Sequence, residues 1–147
     1  MQFLTGMKKE ERLHHRSLVE GLFLKGKTFY EYPLRVTWRK INVEALNKNF
    51  RNAVPEDIAK VQFMVSVPKK KRKRAVDRVL LRRRIREAYR LNCEELKSVA
   101  EQNSDFRTMS VAMVYIHDEN MQYVVIEEKV KGAIKKLCNL ASKKEES

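Results

Sequence analysis

Residues 109–116 limit the possible folds more than any other segment, because they are almost wholly apolar. A run of this length without alternating polar residues favours a strand that is buried on both faces of a sheet. A final helix is predicted after the turn-forming residues 117–120, since apolar side chains recur there at helical spacing and would pack on the sheet. The residues of this stripe are Ile126, Val130, Ala133, Ile134, Leu137 and Ala141.

Two earlier segments have the two-residue period of a β-strand. Residues 34–40 alternate apolar with mostly basic side chains, and residues 61–67 alternate valine or phenylalanine with other residue types. The second of these strands is expected to end at Pro68, which has no backbone N–H for sheet pairing. The segment 41–50 could contain a further strand.

Two more helices are predicted before the apolar run. Residues 16–26 favour a short helix in which Ser17 is the cap, Glu20 completes a capping box and Gly26 is the terminator. A longer helix is predicted over residues 75–96, followed by a polar connector over residues 98–108.

These elements together predict an α+β fold, a small two-layer sandwich with one mixed sheet and helices packed on it. With 147 residues, of which 43% are hydrophobic, the chain is long enough for a single domain, 1–147, with its own core. The polar residues 42–60 are interpreted as a variable connection, and the charged residues 142–147 as a frayed tail.

Positive charge is concentrated in residues 69–90. This segment of 22 residues holds twelve Lys or Arg and two acids, so it carries +10 of the total formal charge of +13. The remainder of the chain is nearly neutral. A localised site for a polyanion, with nucleic acid favoured, is therefore expected instead of a diffusely basic surface.

On a helical wheel, the residues after position 75 divide into an apolar arc and a cationic arc. Four guanidinium groups within three turns repel one another, so a helix of this kind is rarely built without an anionic ligand. The lysine-rich residues before it lie at its N-terminus, where free backbone amides already favour an anion. A solvated charged face or a targeting signal is the alternative. The two arcs are Leu81, Ile85, Ala88, Tyr89 and Leu96, and Arg82, Arg83, Arg86 and Arg90.

The composition argues against several other classes of protein. No apolar run approaches the roughly 20 residues of a membrane span, and no hydrophobic signal segment precedes the first helix, so we expect a cytoplasmic protein without a membrane partner. Cys93 and Cys138 are too far apart in sequence for a disulfide framework or a metal knuckle and should be small packing residues. Without clustered carboxylates, ligand-spaced histidines or a Gly-rich phosphate loop, we expect no catalytic residue and no metal site in this chain.

Three motifs in the basic region carry a resemblance to a known family. They are SVPKK at residues 66–70, RAVDR at residues 74–78 and RRRIREAYR at residues 82–90. These motifs resemble the signature of the ribonuclease P protein family, and the resemblance extends over most of the chain except residues 42–60. It implies an α+β fold with an unusual left-handed crossover between parallel strands. It also implies binding to a catalytic RNA that, with magnesium, removes the 5′ leader from precursor tRNA as an endonuclease. No protein partner and no cofactor of the protein itself are predicted.

The resemblance places RNA contacts along the basic segment. Two positions depart from the family, because Val79 stands where asparagine is usual and Leu80 where a basic residue is common. Arg72 stands where the family tends to be apolar. The expected RNA contacts are Lys69, Lys70, Lys71, Arg74, Arg78, Arg82, Arg83, Arg86 and Arg90.

The resemblance further implies a cleft between the sheet and the arginine-rich helix for the single-stranded leader, in which an aromatic side chain could stack on a base. Phe23 and Trp38 are the candidates, and core packing is the alternative for each. A ribosomal-protein-like domain that binds structured RNA without processing it is the principal alternative function.

Overall fold

The computed structural model describes residues 11–50 and 58–143. Within these ranges the chain forms helices and one four-stranded sheet, which confirms the predicted α+β fold. In chain order the elements are α1 (Arg16–Lys25), β1 (Lys27–Glu31), β2 (Leu34–Ile41), α2 (Val43–Asn49), β3 (Val61–Ser66), α3 (Ala75–Asn92), α4 (Glu94–Glu101), β4 (Thr108–Tyr115) and α5 (Tyr123–Ser142).

β4 is an inner strand of the mixed sheet, whose strand order is β1-β2-β4-β3. It runs antiparallel to β2 and parallel to β3. All eight of its residues are buried, as the apolar run predicts. The parallel strands β3 and β4 are neighbours joined through α3 and α4, so the connection is a crossover. The left hand of this crossover stays a prediction from the resemblance.

Helices lie on both faces of the sheet. On one face, α3, α4 and α5 share a core with Val36, Phe63 and Val111. On the other, α1 and α2 share a second core with Ile41 and Ala112. The strands supply both cores because successive side chains of a strand point to opposite faces. The apolar stripe predicted for α5 is confirmed, since all six of its residues are buried.

α1 begins before its predicted cap. The residue that precedes its first turn is His15, whose side chain makes no capping hydrogen bond, and Ser17 lies inside the helix. The capping box is therefore wrong, and Glu20 instead accepts a hydrogen bond from Arg16 Nε at 3.1 Å. Leu22 is fully buried, which indicates that packing of the apolar side positions this helix.

The segment interpreted as a variable connection contains α2, and the further strand expected there is absent from residues 41–50 beyond the end of β2. Asn42 Oδ1 accepts a hydrogen bond from Ala45 N at 2.8 Å and so caps α2. The fourth strand is β1, which pairs antiparallel with β2. It escaped prediction because it has only five residues and little apolar alternation. Residues 51–57 lie outside the described residues.

The single helix predicted over residues 75–96 is two helices. Cys93 separates them as the last cap of α3 and the first cap of α4, with φ of −90° and ψ of −4°. The break redirects Leu96 and Ala100 of α4 into the core with α5. The first four residues of the connector predicted over residues 98–108 are thus the second half of α4, which the polar composition concealed.

Both cysteines pack in the core that includes α3 and α5. Cys93 and Cys138 are free and buried, and burial raises the pKa of both thiols. At the C-terminal end, Ser142 still belongs to α5, and residues 144–147 of the predicted tail lie outside the described residues. No helix in the described ranges is long and apolar enough to cross a membrane.

Gly26 joins α1 to β1 at a point where there is no room for a side chain. Its φ of −73° is open to any residue, but a Cβ atom would meet Thr37 Cγ2 at 2.9 Å and the carbonyl oxygen of Leu22 more closely still. We expect Gly26→Ala to lower the free energy of unfolding by about 1–3 kcal/mol, as overpacking does. Chemical denaturation followed by circular dichroism measures this.

Gly132→Ala is the matched control for that substitution. A Cβ atom at Gly132 would meet Glu31 Oε2 at 2.9 Å, but this is the end of a flexible side chain that can move. Alanine is also favoured over glycine inside a helix by about 1 kcal/mol. Gly132→Ala should leave the free energy of unfolding unchanged or raise it, and equal losses in the two variants would contradict this explanation.

Candidate nucleic-acid interface

α3 is held against the sheet by its apolar side. Leu81, Ile85 and Ala88 are fully buried. The ring of Tyr89 stacks on Phe63 of β3, with parallel planes and centroids 3.8 Å apart. Because the buried positions recur at helical spacing, the cationic side of α3 must face away from the core.

Three predicted RNA contacts on α3 form a surface that we call the arginine face: Arg82, Arg83 and Arg86. None of them forms a salt bridge with a carboxylate in the described part of the chain. The pKa of Arg86 is lowered, first by burial and then by repulsion from Arg12 and Arg82. An anion bound among these groups would relieve that repulsion, so the arginine face is suited to phosphate.

Arg12 joins the arginine face from a distant part of the sequence. It lines a cavity of about 370 Å³ together with His14, Met64 and Arg86. The N-terminal segment reaches this position because it pairs with β3, where Leu13 N donates a hydrogen bond to the carbonyl oxygen of Phe63 at 3.0 Å. The sequence analysis missed Arg12, since only this pairing brings it near the basic segment.

Residues 69–74 form a turn between β3 and α3 that we call the basic loop. The carbonyl oxygen of Pro68 accepts hydrogen bonds from the backbone amides of Lys71 and Arg72 at 3.0 and 3.1 Å. Arg74 is the residue just before α3, and its side chain is 76% exposed. The turn also leaves three predicted contacts exposed to solvent, namely Lys69, Lys70 and Lys71.

Two other predicted contacts are hydrogen-bonded within the protein. Arg78 Nη1 donates to the carbonyl oxygens of Arg72 and Lys73 at 3.0 and 2.7 Å. Arg90 donates through Nε and Nη2 to the two carboxylate oxygens of Glu87 at 2.9 and 2.7 Å, and this hydrogen bonding holds the pKa of Glu87 below its usual value. Both arginines therefore have fewer donors left for RNA than the residues of the arginine face.

The two departures from the family pattern differ in exposure. Val79 is 44% exposed, so an apolar side chain does interrupt the cationic side of α3. Leu80 is half-buried. The basic character of this surface consequently comes from its neighbours and not from these two positions.

Phe23 and Trp38 lie on opposite faces of the sheet. Phe23 is on α1 and is 45% exposed. Trp38 is 7% exposed and packs in the core with α3, α4 and α5, while the ammonium group of Lys27 lies 5.6 Å from its ring centroid. Trp38 therefore follows the core-packing alternative, because this core fills the space between the sheet and α3 where the leader cleft was expected.

Tyr30 is an exposed aromatic residue on the α1 face that the sequence analysis missed. It is directly opposite Arg35 across β1 and β2 and is 62% exposed. Thr37, two residues along β2 on the same face, lies beside Gly26 at the end of α1. If β1 had been predicted as a strand, its alternation would have placed Tyr30 on this face. A segment of only five residues carries too weak a pattern for that prediction.

A family model described as Ribonuclease P matches residues 7–138. The chain belongs to the ribonuclease P protein family. A ribonuclease P protein component from Porphyromonas gingivalis strain W83 is 33% identical over 129 residues, which are 88% of this chain and 84% of that protein. The component from strain ATCC 33277 matches equally well. Membership of this family makes the chain a subunit of an endoribonuclease complex that acts in tRNA processing.

Solved structures of ribonuclease P proteins share the fold. The protein from Thermotoga maritima matches with a TM-score of 0.58 and 21% identity, over 86% of this chain and 96% of that one. The protein from Staphylococcus aureus matches with a TM-score of 0.56 and 17% identity, over 85% of this chain and 93% of that one. The likeness extends over nearly the whole of both solved chains.

Phe23 and Trp38 lie in different environments, so their replacement by Ala should have different effects on the stability of the protein. Phe23→Ala should change the free energy of unfolding by no more than about 0.5 kcal/mol, as is usual for surface substitutions. Trp38→Ala should lower it by about 3–5 kcal/mol, because it removes a buried ring. Urea denaturation followed by circular dichroism reports both, and similar losses would show that Phe23 also belongs to the core.

Proposed function

We propose that the basic loop and the arginine face bind the catalytic RNA of ribonuclease P, and that the protein thereby assists endonucleolytic removal of the 5′ leader from precursor tRNA. The observation that carries this proposal is the arginine face itself. Its three guanidinium groups are presented by one rigid helix, next to Arg12, without a carboxylate partner in the described part of the chain. An anion bound among these guanidinium groups would relieve their mutual repulsion.

The two parts of the basic segment would act differently on RNA. Guanidinium groups make forked hydrogen bonds to phosphate, so the arginine face would fix the register of the protein on the RNA. The lysines of the basic loop carry flexible point charges that attract RNA over a longer range. They lie at the N-terminus of the 18-residue helix α3, where backbone amides add to the attraction for phosphate.

The α1 face of the sheet is proposed as the surface for the single-stranded leader. Phe23 and Tyr30 are exposed aromatic side chains on this side of the protein, and Arg35 lies beside Tyr30. Stacking on aromatic rings suits a leader of variable sequence, because every base has a flat face. Trp38 takes no part, since it is buried on the other side of the sheet.

The catalytic centre and its magnesium ions are proposed to belong to the RNA. The described residues bring together no group of three His, Cys, Asp or Glu side chains that could hold a metal ion. The part of the protein would be to supply positive charge where RNA and precursor tRNA meet. We place this activity in the cytoplasm.

Reconstitution with the cognate RNA tests the function. The purified protein should restore cleavage of precursor tRNA by that RNA at low magnesium, because bound lysines and arginines replace cations that otherwise screen the phosphates. The release of the 5′ leader, followed on a denaturing gel, measures the effect. Binding to other structured RNAs without stimulation of cleavage would favour a ribosomal-protein-like role instead.

Combined replacement of Arg82, Arg83 and Arg86 by Ala tests the arginine face. If about three phosphate contacts are lost, the slope of log K against log salt should become shallower by about 2–3 units. Filter binding of the cognate RNA over a range of salt concentrations gives this slope, and circular dichroism checks that the variant is folded.

A charge-matched control separates contact from net charge. Lys48, Lys131 and Lys135 are exposed on α2 and α5, and their replacement by Ala removes the same number of positive charges from helices other than α3. This control should keep the salt slope of the unmodified protein. Equal slopes in the two triple variants would show that the arginine face makes no specific contact.

A further inference from the structure

Arg72 lies within the basic loop, yet its guanidinium group is engaged by the protein. Its side chain is 21% exposed. Arg72 Nε donates to Asn120 Oδ1 at 2.9 Å, Nη1 donates to the carbonyl oxygen of Asp118 at 2.5 Å, and Nη2 donates to Asp77 Oδ2 at 3.1 Å. Arg72 thus connects the basic loop to the turn before α5 and to the first turn of α3.

Asp77 completes this network from α3. Its side chain is 13% exposed. Asp77 Oδ1 accepts a hydrogen bond from Asn120 Nδ2 at 3.0 Å, and Arg74 Nε lies 3.4 Å from Oδ2. The hydrogen bond from Asn120 and the charges of Arg74 and Arg72 hold the pKa of Asp77 below its usual value. Both carboxylate oxygens are therefore occupied by groups of the protein.

The backbone of the basic loop is held by a second set of hydrogen bonds. Arg78 Nη1 binds the carbonyl oxygens of Arg72 and Lys73, and Pro68 O accepts the amides of Lys71 and Arg72. The loop is consequently tied at its backbone and through the side chain of Arg72, while its exposed lysines point to solvent.

We propose that Asp77, Arg72 and Asn120 form a positioning clamp that orders the basic loop for RNA, so that the acid Asp77 strengthens RNA binding although it lies inside the cationic site. This rests on the proposed function of the loop. None of the three residues needs to touch RNA. A clamped loop has less conformational freedom to lose when RNA binds, and preorganisation of this kind raises affinity.

The clamp can be distinguished from simple electrostatics by the sign of one effect. Removal of a negative charge within about 10 Å of bound phosphates should tighten RNA binding if charge alone matters. Removal of the clamp should weaken RNA binding, because the loop must then be ordered by the RNA. Asp77→Asn removes the negative charge and disrupts the clamp at the same time. RNA binding should become tighter if charge alone matters and weaker if the clamp orders the loop.

The matched control is Glu87→Gln, which makes the same change of charge on the same helix. Glu87 is hydrogen-bonded to Arg90 on the surface of α3 and is not part of the clamp. Its neutralisation frees the guanidinium group of Arg90, so the affinity for RNA should be unchanged or higher. Asp77→Asn should weaken binding of the cognate RNA about 3- to 10-fold, the effect of ordering one or two further side chains on binding. Tighter binding by both variants would overturn the proposal.

Asn120→Ala tests the clamp without any change in charge. It removes one hydrogen-bond partner each from Arg72 and Asp77. Because Asn120 lies outside α3, the substitution leaves that helix unchanged, and it should weaken RNA binding as Asp77→Asn does. The midpoint of thermal unfolding of each variant should stay close to that of the unmodified protein, which shows that the variant is folded. Unchanged affinity in a folded Asn120→Ala variant would also overturn the proposal.

Hydrogen exchange of the free protein gives a readout that needs no RNA. The amides of Lys71 and Arg72, which bond to Pro68 O, should exchange faster in Asp77→Asn than in Glu87→Gln. Equal exchange rates would mean that Asp77 does not order the loop. If the unmodified protein shows no salt-dependent RNA binding, the proposed function fails, whereas the exchange rates still decide whether the clamp exists.

Discussion

The packing of α3 against the sheet is the interaction on which the proposed RNA-binding surface depends. Tyr89 and Phe63 stack face to face, and Leu81 and Ile85 are fully buried beside them. With one side of the helix fixed by burial of this kind, the direction of every other side chain on α3 is determined. The arginine face therefore owes its orientation to apolar contacts, which outweigh the mutual repulsion of the guanidinium groups.

Acids within the basic segment have structural uses that net charge does not reveal. Glu87 engages Arg90 on the surface of α3, and Asp77 connects α3 to Arg72 and Asn120. The resemblance leads to an apolar residue at position 72, and the structure gives Arg72 a role because three protein groups receive its donors. The cationic segment thus combines side chains free to meet phosphate with side chains that shape the loop.

The agreement between sequence and structure depended on the length and period of each signal. The eight buried residues of β4 and the six-residue stripe of α5 were predictable, since long apolar patterns admit few alternatives. β1 was missed, because a short edge strand shows little alternation. The break at Cys93 was missed as well, because the apolar period continues through Leu96, and only packing of α4 on α5 requires the change in direction.

By itself, the sequence determined that positive charge is concentrated in one segment, that most of this segment forms an amphipathic helix, and that its motifs resemble those of ribonuclease P proteins. These properties are local, so spacing and composition carry them. Tertiary structure alone decided that Arg12 joins Arg86 at one cavity, that Trp38 faces the core, and that Asn120 reaches Arg72 and Asp77. Each of these depends on contacts between distant parts of the chain, which no local pattern encodes.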